Sequence, residues 1–229
     1  MSARAMWALI VATWRERLLR PAVGVLCFIY GASQVTMARY GGDLDDPTFI
    51  FTLLLAAGSI GKDVTSGVLP LLFTRPLVRS RYVLAKWLAV SSAVAVLSGL
   101  TLVAEALFLA RAGKALPVGE IAGAIFHSTT GAFGAASVLV LLSVLVSGYS
   151  DALLWIGLGV LPFIGHKFIP QRVAEEWHAF LNPELDWGAT FGGSVAWFPL
   201  FSYLSTVTLC LCLAALAANR KELSYASSG

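Results

Sequence analysis

Charge is what this sequence has least of. Asp, Glu, Lys and Arg make up 13% of its 229 residues, against about 25% in an average soluble domain, and the shortage excludes a water-facing surface over most of the chain. Cysteine is scarce too. Cys27, Cys210 and Cys212 all sit inside apolar runs, and a two-residue separation puts the last two on nearly opposite sides of a helix. They read as small buried hydrophobes, not as a disulfide or a metal set. No Gly-x-x-x-x-Gly-Lys-Ser/Thr run occurs, so the chain cannot supply that kind of nucleotide site. The net charge of +3 is small and scattered, which excludes a nucleic-acid surface. With no internal repeat and no low-complexity tract, the chain is expected to be one domain, 1–229.

What is abundant is apolar sequence: 58% of residues are hydrophobic and the mean hydropathy is +0.78. The expected fold is an all-α membrane protein with six transmembrane helices, because a spanning segment must satisfy its own backbone. The first apolar run, Ala5 to Trp14, ends in Arg15-Glu16-Arg17 and lacks a small-residue cleavage site, so it is expected to be retained. On a helical wheel Trp7, Ile10, Val11, Trp14 and Leu18 form a stripe opposite Thr13, Glu16 and Arg20. That pattern predicts an amphipathic interfacial helix over 1–20.

Pro21 ends it. The expected spans are 22–38, 48–62, 82–110, 120–147, 152–169 and 195–218, the second being the shortest. Pro162 predicts a kink in the fifth. Between the fifth and sixth, the polar, aromatic stretch with Glu175, Glu176, Trp177, His178, Glu184, Asp186 and Trp187 predicts short re-entrant or interfacial helices. Basic residues set the orientation. Eleven (Arg4, Arg15, Arg17, Arg20, Lys62, Arg75, Arg79, Arg81, Lys86, Arg220 and Lys221) flank one side and five (Arg39, Arg111, Lys114, Lys167 and Arg172) the other. Both termini are therefore expected in the cytoplasm.

The most informative stretch is polar and proline-broken, from Lys62 to Lys86. Thr65 and Ser66 suit a helix cap and Pro70 limits helix length. Val68, Leu69, Leu71, Leu72 and Phe73 make an apolar patch too short to span, ringed by Asp63, Arg75 and Arg79. Such a knob suits the groove of a soluble protein.

In this stretch Asp63, Gly67, Leu71, Leu72, Pro76, Arg79, Tyr82 and Lys86 follow the order and spacing of a pattern found in the permease subunits of the ABC-2 family of ATP-binding-cassette transporters. The chain resembles those permeases over its whole length, with the N-terminal helix, the spans, the long last outer loop and the basic tail all in place. The resemblance implies a type V exporter fold and a homodimer or heterodimer of permeases in a bacterial or archaeal cytoplasmic membrane. It also implies a separate cytoplasmic ATPase that carries ATP and Mg, this chain holding no cofactor and no catalytic residue. The segment 63–79 would be the coupling helix, with Asp63, Thr65, Ser66, Gly67, Leu71, Leu72, Pro76 and Arg79 contacting the ATPase. The family more often has Glu where this chain has Asp63, one methylene shorter. Its first and fifth spans meet across the dimer, which makes Gly157 and Gly159 candidate dimer contacts.

Other polar residues carry alternatives. Glu105 in the third span is either part of a substrate path or a carboxylate that snorkels outward or pairs with Arg111. His127, and His166 with Lys167, are expected to pack or anchor at the interface. Glu175, Glu176 and His178 lack matching ligands at helical spacing, so no metal site is expected there. Rival readings are an intramembrane enzyme, for which Ser194 and His127 are the only candidates, and a non-transporting scaffold tethered through 63–79.

Overall fold

Proline punctuates the start of the chain as the sequence predicts. In the computed structural model α1 (Ala3–Leu18) stops just before Pro21, which takes the first position of α2 (Pro21–Gly41), where its missing N–H costs nothing. The structure describes residues 3–41, 44–65, 79–146, 148–164, 170–191 and 196–226. Beyond α2 it contains α3 (Thr48–Ala56), α4 (Gly61–Thr65), α5 (Arg79–Arg111), α6 (Val118–Leu145), α7 (Ser150–Ile164), α8 (Gln171–Leu181), α9 (Trp187–Phe191) and α10 (Trp197–Ala226). The described residues include no strand.

Four of these helices, α2, α5, α6 and α10, are long and apolar enough to cross a bilayer. The other two expected spans are shorter. With 9 residues, α3 rises only about 14 Å, and α7 has 15 residues, below the range of a single-helix span.

The break after α3 has a physical cause that lies far away in sequence. Gly58 has a φ of +64°, a conformation that suits glycine, and a Cβ there would lie 2.9 Å from the Tyr149 ring. Its N–H donates to Asp151 Oδ2 at 2.8 Å, while Ser143 Oγ accepts from the N–H groups of Ile60 and Gly61 at 3.0 and 2.9 Å. The N–H groups released by the helix break are thus satisfied by α6 and α7.

The core sits on α5 and α6, which pack along each other and collect α1, α2, α3 and α10 around them. Phe51, Leu55, Val94, Ala132, Ala136 and Leu139 are fully or almost fully buried there. Close packing is allowed by Gly134, where a Cβ would fall 1.8 Å from the Pro183 carbonyl oxygen, so the α8–α9 connection lies directly on α6.

The amphipathic reading of α1 needs one correction. Ile10 and Trp14 pack toward Ala85 and Ala89 of α5, and the Trp14 indole N–H donates to the Ala89 carbonyl at 2.7 Å. Trp7 and Val11 instead are exposed, and Thr13 is buried. Thr13 escapes the polar face because its hydroxyl donates to Leu9 within its own helix, which lets it face protein. Cys27 and Cys210 are buried, Cys212 is exposed, and all three are free thiols.

Candidate functional site: the junction of the second and third apolar runs

Asp63 lies in α4 and Tyr82 and Lys86 on the first turns of α5, one helical turn apart on one face. The Lys86 ammonium stands 2.8 Å from Asp63 Oδ2, with both side chains nearly buried. The Tyr82 hydroxyl, also buried, donates to the same carboxylate oxygen. Lys86 lies over the Tyr82 ring as well, 5.7 Å from its centroid. Three residues of the motif therefore form one charge-paired, hydrogen-bonded brace between α4 and α5. Removing one member of such a buried pair leaves the other charge uncompensated, at a cost of about 3–5 kcal/mol.

Further contacts close this end of the molecule. Arg17 reaches from α1 to the Ala57 carbonyl at 2.6 Å, beside the helix break. Burial lowers the pKa of its guanidinium, with Glu16 opposing the shift. Glu16 pairs with Arg20 at 2.5 Å and with Lys62 at 3.6 Å, and Arg20 donates to the Tyr149 hydroxyl at 3.0 Å. Arg79 donates to the Asn219 carbonyl of α10 at 3.1 Å. The α1 helix, the break, α4, the start of α5, the α6–α7 turn and the end of α10 all meet here.

Set against the sequence expectations, Asp63 is engaged inside the chain and its carboxylate faces α5. Arg79 is half-buried and tied to α10. Thr65 closes α4, but its side chain, like Ser66, Gly67, Leu71, Leu72 and Pro76, lies outside the described residues. His166, Lys167 and Ser194 also lie outside them. Gly157 and Gly159 on α7 have open space where a Cβ would stand, among the exposed Leu153, Ile156 and Val160.

Glu105 does not snorkel. It is fully buried, its Oε2 accepts the Asp45 N–H at 3.3 Å, and its Oε1 has no partner. It makes no ion pair with Arg111; its contact is the α2–α3 loop. A groove of about 700 Å³ between α2, α3 and α5 is lined by Cys27, Phe28, Val35, Phe51, Leu100 and Thr101 among others, but not by Glu105.

The sequence missed one cluster altogether. At the other end of α6, His127 Nε2 stands 3.9 Å from Asp46 Oδ2 and 3.5 Å from Glu184 Oε2. Burial raises the Glu184 pKa above the ordinary carboxylate range; His127 opposes the rise and Asp46 adds to it. Glu175 and Glu176, by contrast, are exposed and bonded to Gln171 and Arg172 on their own helix. No local spacing signals the cluster, because its members are separated by 81 and 57 positions.

A helical bundle with four bilayer-length apolar helices and an ion-paired junction at the base of its central helix defines an integral membrane protein. The family model for ABC-2 family transporter proteins matches residues 25–226, and the chain belongs to that family. It is a membrane component of an ABC transporter. Searches of curated proteins and of solved structures give no significant match.

Proposed function

We propose that this chain is the permease subunit of an ATP-binding-cassette exporter, paired with a second permease and driven by a separate cytoplasmic ATPase through the segment 63–79. The observation that carries the reading is the Asp63–Lys86–Tyr82 brace. It fixes the start of that segment to α5, the helix against which α1, α2, α3, α6 and α10 all pack. A push on the segment from an ATPase would therefore reach the core of the bundle as a rigid-body displacement of α5. A flexible tether would dissipate the same push.

In this reading the Asp63 end is cytoplasmic, with both termini on that side, and ATP and Mg bind only to the ATPase. The chain crosses the membrane six times: α3 with α4, and α7 with the residues that follow it, complete the two short passages. Exposed small surfaces at Gly157 and Gly159 on α7 serve the permease dimer. The groove lined by Phe28, Leu100 and Thr101 suits an amphipathic or lipid-like cargo.

The test is co-purification of the membrane-embedded chain with the ATPase encoded for it, followed by ATPase assays in reconstituted vesicles. A stoichiometric complex is expected, with activity lost in Gly67→Trp while membrane insertion is unchanged. Full coupled activity in that variant would sink the assignment of the segment.

A further inference from the structure

We propose that Asp46, His127 and Glu184 form a binding site for one divalent transition-metal ion, with Zn²⁺ the best match. The three residues come from three different elements: the loop before α3, the first half of α6, and the α8–α9 connection. Their ligand atoms lie within 4.8 Å of one another, and among the described residues this is the one group of His, Cys, Asp or Glu that gathers so closely.

The spacing argues for a metal over a simple ion pair. A direct N–H···O bond needs roughly 2.7–3.2 Å, and the two separations from Nε2, 3.5 and 3.9 Å, both exceed it. Ligands on tetrahedral Zn²⁺, with bonds of about 2.0–2.2 Å, stand roughly 3.3–3.5 Å apart. The His127–Glu184 separation fits directly, and the other two, neither beyond 4.8 Å, would close as the carboxylates draw in on the ion.

The surroundings hold the ligands for this task. His127 Nδ1 faces the Leu185 carbonyl oxygen at 3.4 Å, an acceptor that favours the tautomer with its proton on Nδ1 and its Nε2 lone pair toward the carboxylates. A ligating histidine usually turns its second nitrogen toward a carbonyl oxygen or a carboxylate, and His127 has that orientation. Asp46 is held through its other oxygen, which accepts from the Thr48 N–H at 3.1 Å and the Thr48 hydroxyl at 2.5 Å. Pro183, seated on Gly134, fixes the backbone beside Glu184.

Three acceptors thus converge, and His127 is the only ion-pair partner of either carboxylate among the described residues. Borderline nitrogen and hard oxygen ligands together favour a divalent ion such as Zn²⁺. Entry is open. Glu184 borders a cavity of about 500 Å³ shared with His178 and Tyr203, wide enough for water to complete the coordination. Occupied, the site would pin the α2–α3 loop and the α8–α9 connection to α6.

The test is titration of the full chain, purified in detergent and stripped with chelator, with Zn²⁺ against a competing indicator dye. One ion per chain is expected. His127→Ala and Glu184→Gln should each weaken binding by at least about 10–100-fold, the loss that outer partners alone already cause. His127→Cys should keep binding through its thiolate, and the Zn²⁺-induced rise in wild-type Tm should vanish in His127→Ala. Absence of stoichiometric binding to the wild-type chain, or unchanged affinity in both His127→Ala and Glu184→Gln, would overturn the proposal.

Discussion

The two ends of α6 solve the problem of polar groups in an apolar protein in opposite ways. Near Leu145 the backbone N–H groups of Gly58, Ile60 and Gly61 find partners inside the chain. Ser143 and Asp151 accept the backbone of the helix break, and Asp63 meets Lys86 and Tyr82 out of solvent. Near His127 two carboxylates and an imidazole converge half-exposed, at separations too long for direct hydrogen bonds. Leu145 and His127 are about 27 Å apart along the helix. The first arrangement pairs its charges within the chain; the second, under the metal proposal, gathers its acceptors around one ion.

The largest expected effect breaks the complete end. Lys86→Met leaves the Asp63 carboxylate buried without its counter-charge and should destabilise the chain by about 3–5 kcal/mol, read as a fall in Tm in detergent. Adding Asp63→Asn should recover a large part of that loss, because the uncompensated charge goes with it. Gly134→Ala comes next. Its Cβ meets the Pro183 carbonyl, and the forced shift should cost about 1–3 kcal/mol. The same shift moves Glu184, so this variant should also lose Zn²⁺ affinity, which sharpens the contrast between the ends.

Ser143→Ala removes the acceptor of two buried N–H groups and should cost about 1–3 kcal/mol without touching metal binding. Hydrogen exchange should report the effect at Ile60 and Gly61. The smallest effect is expected at Arg172, whose pair with Glu176 is solvent-exposed. Arg172→Ala should change stability by less than about 0.5 kcal/mol in a thermal melt.

Much of this fold is legible in the sequence because lipid imposes a length. The apolar runs beginning at Ala22, Tyr82 and Val195 each contain a long helix, and α5 and α6 begin and end within about three residues of the expected limits. The second span is expected to be the shortest, but the break that ends α3 at Ala56 is not legible. The run from Thr48 to Gly61 carries no charge, and at its break Ser143 and Asp151 accept its backbone N–H groups, a fact of tertiary structure. The brace is half legible: Asp63, Tyr82 and Lys86 lie in one recognisable motif, but only the fold brings them into contact with one another. The cluster of Asp46, His127 and Glu184 is invisible to any local pattern, since α6 and two loops must first assemble.

The central claim is that the brace couples the segment after Asp63 to α5, and exchange of its charges tests this most directly. Coupled ATPase activity would be measured for the reconstituted complex bearing Asp63→Lys, Lys86→Asp, or both. The account predicts that each single variant loses coupled activity, because two like charges are buried together, and that the double variant regains a substantial fraction. Full coupled activity in either single variant would contradict it.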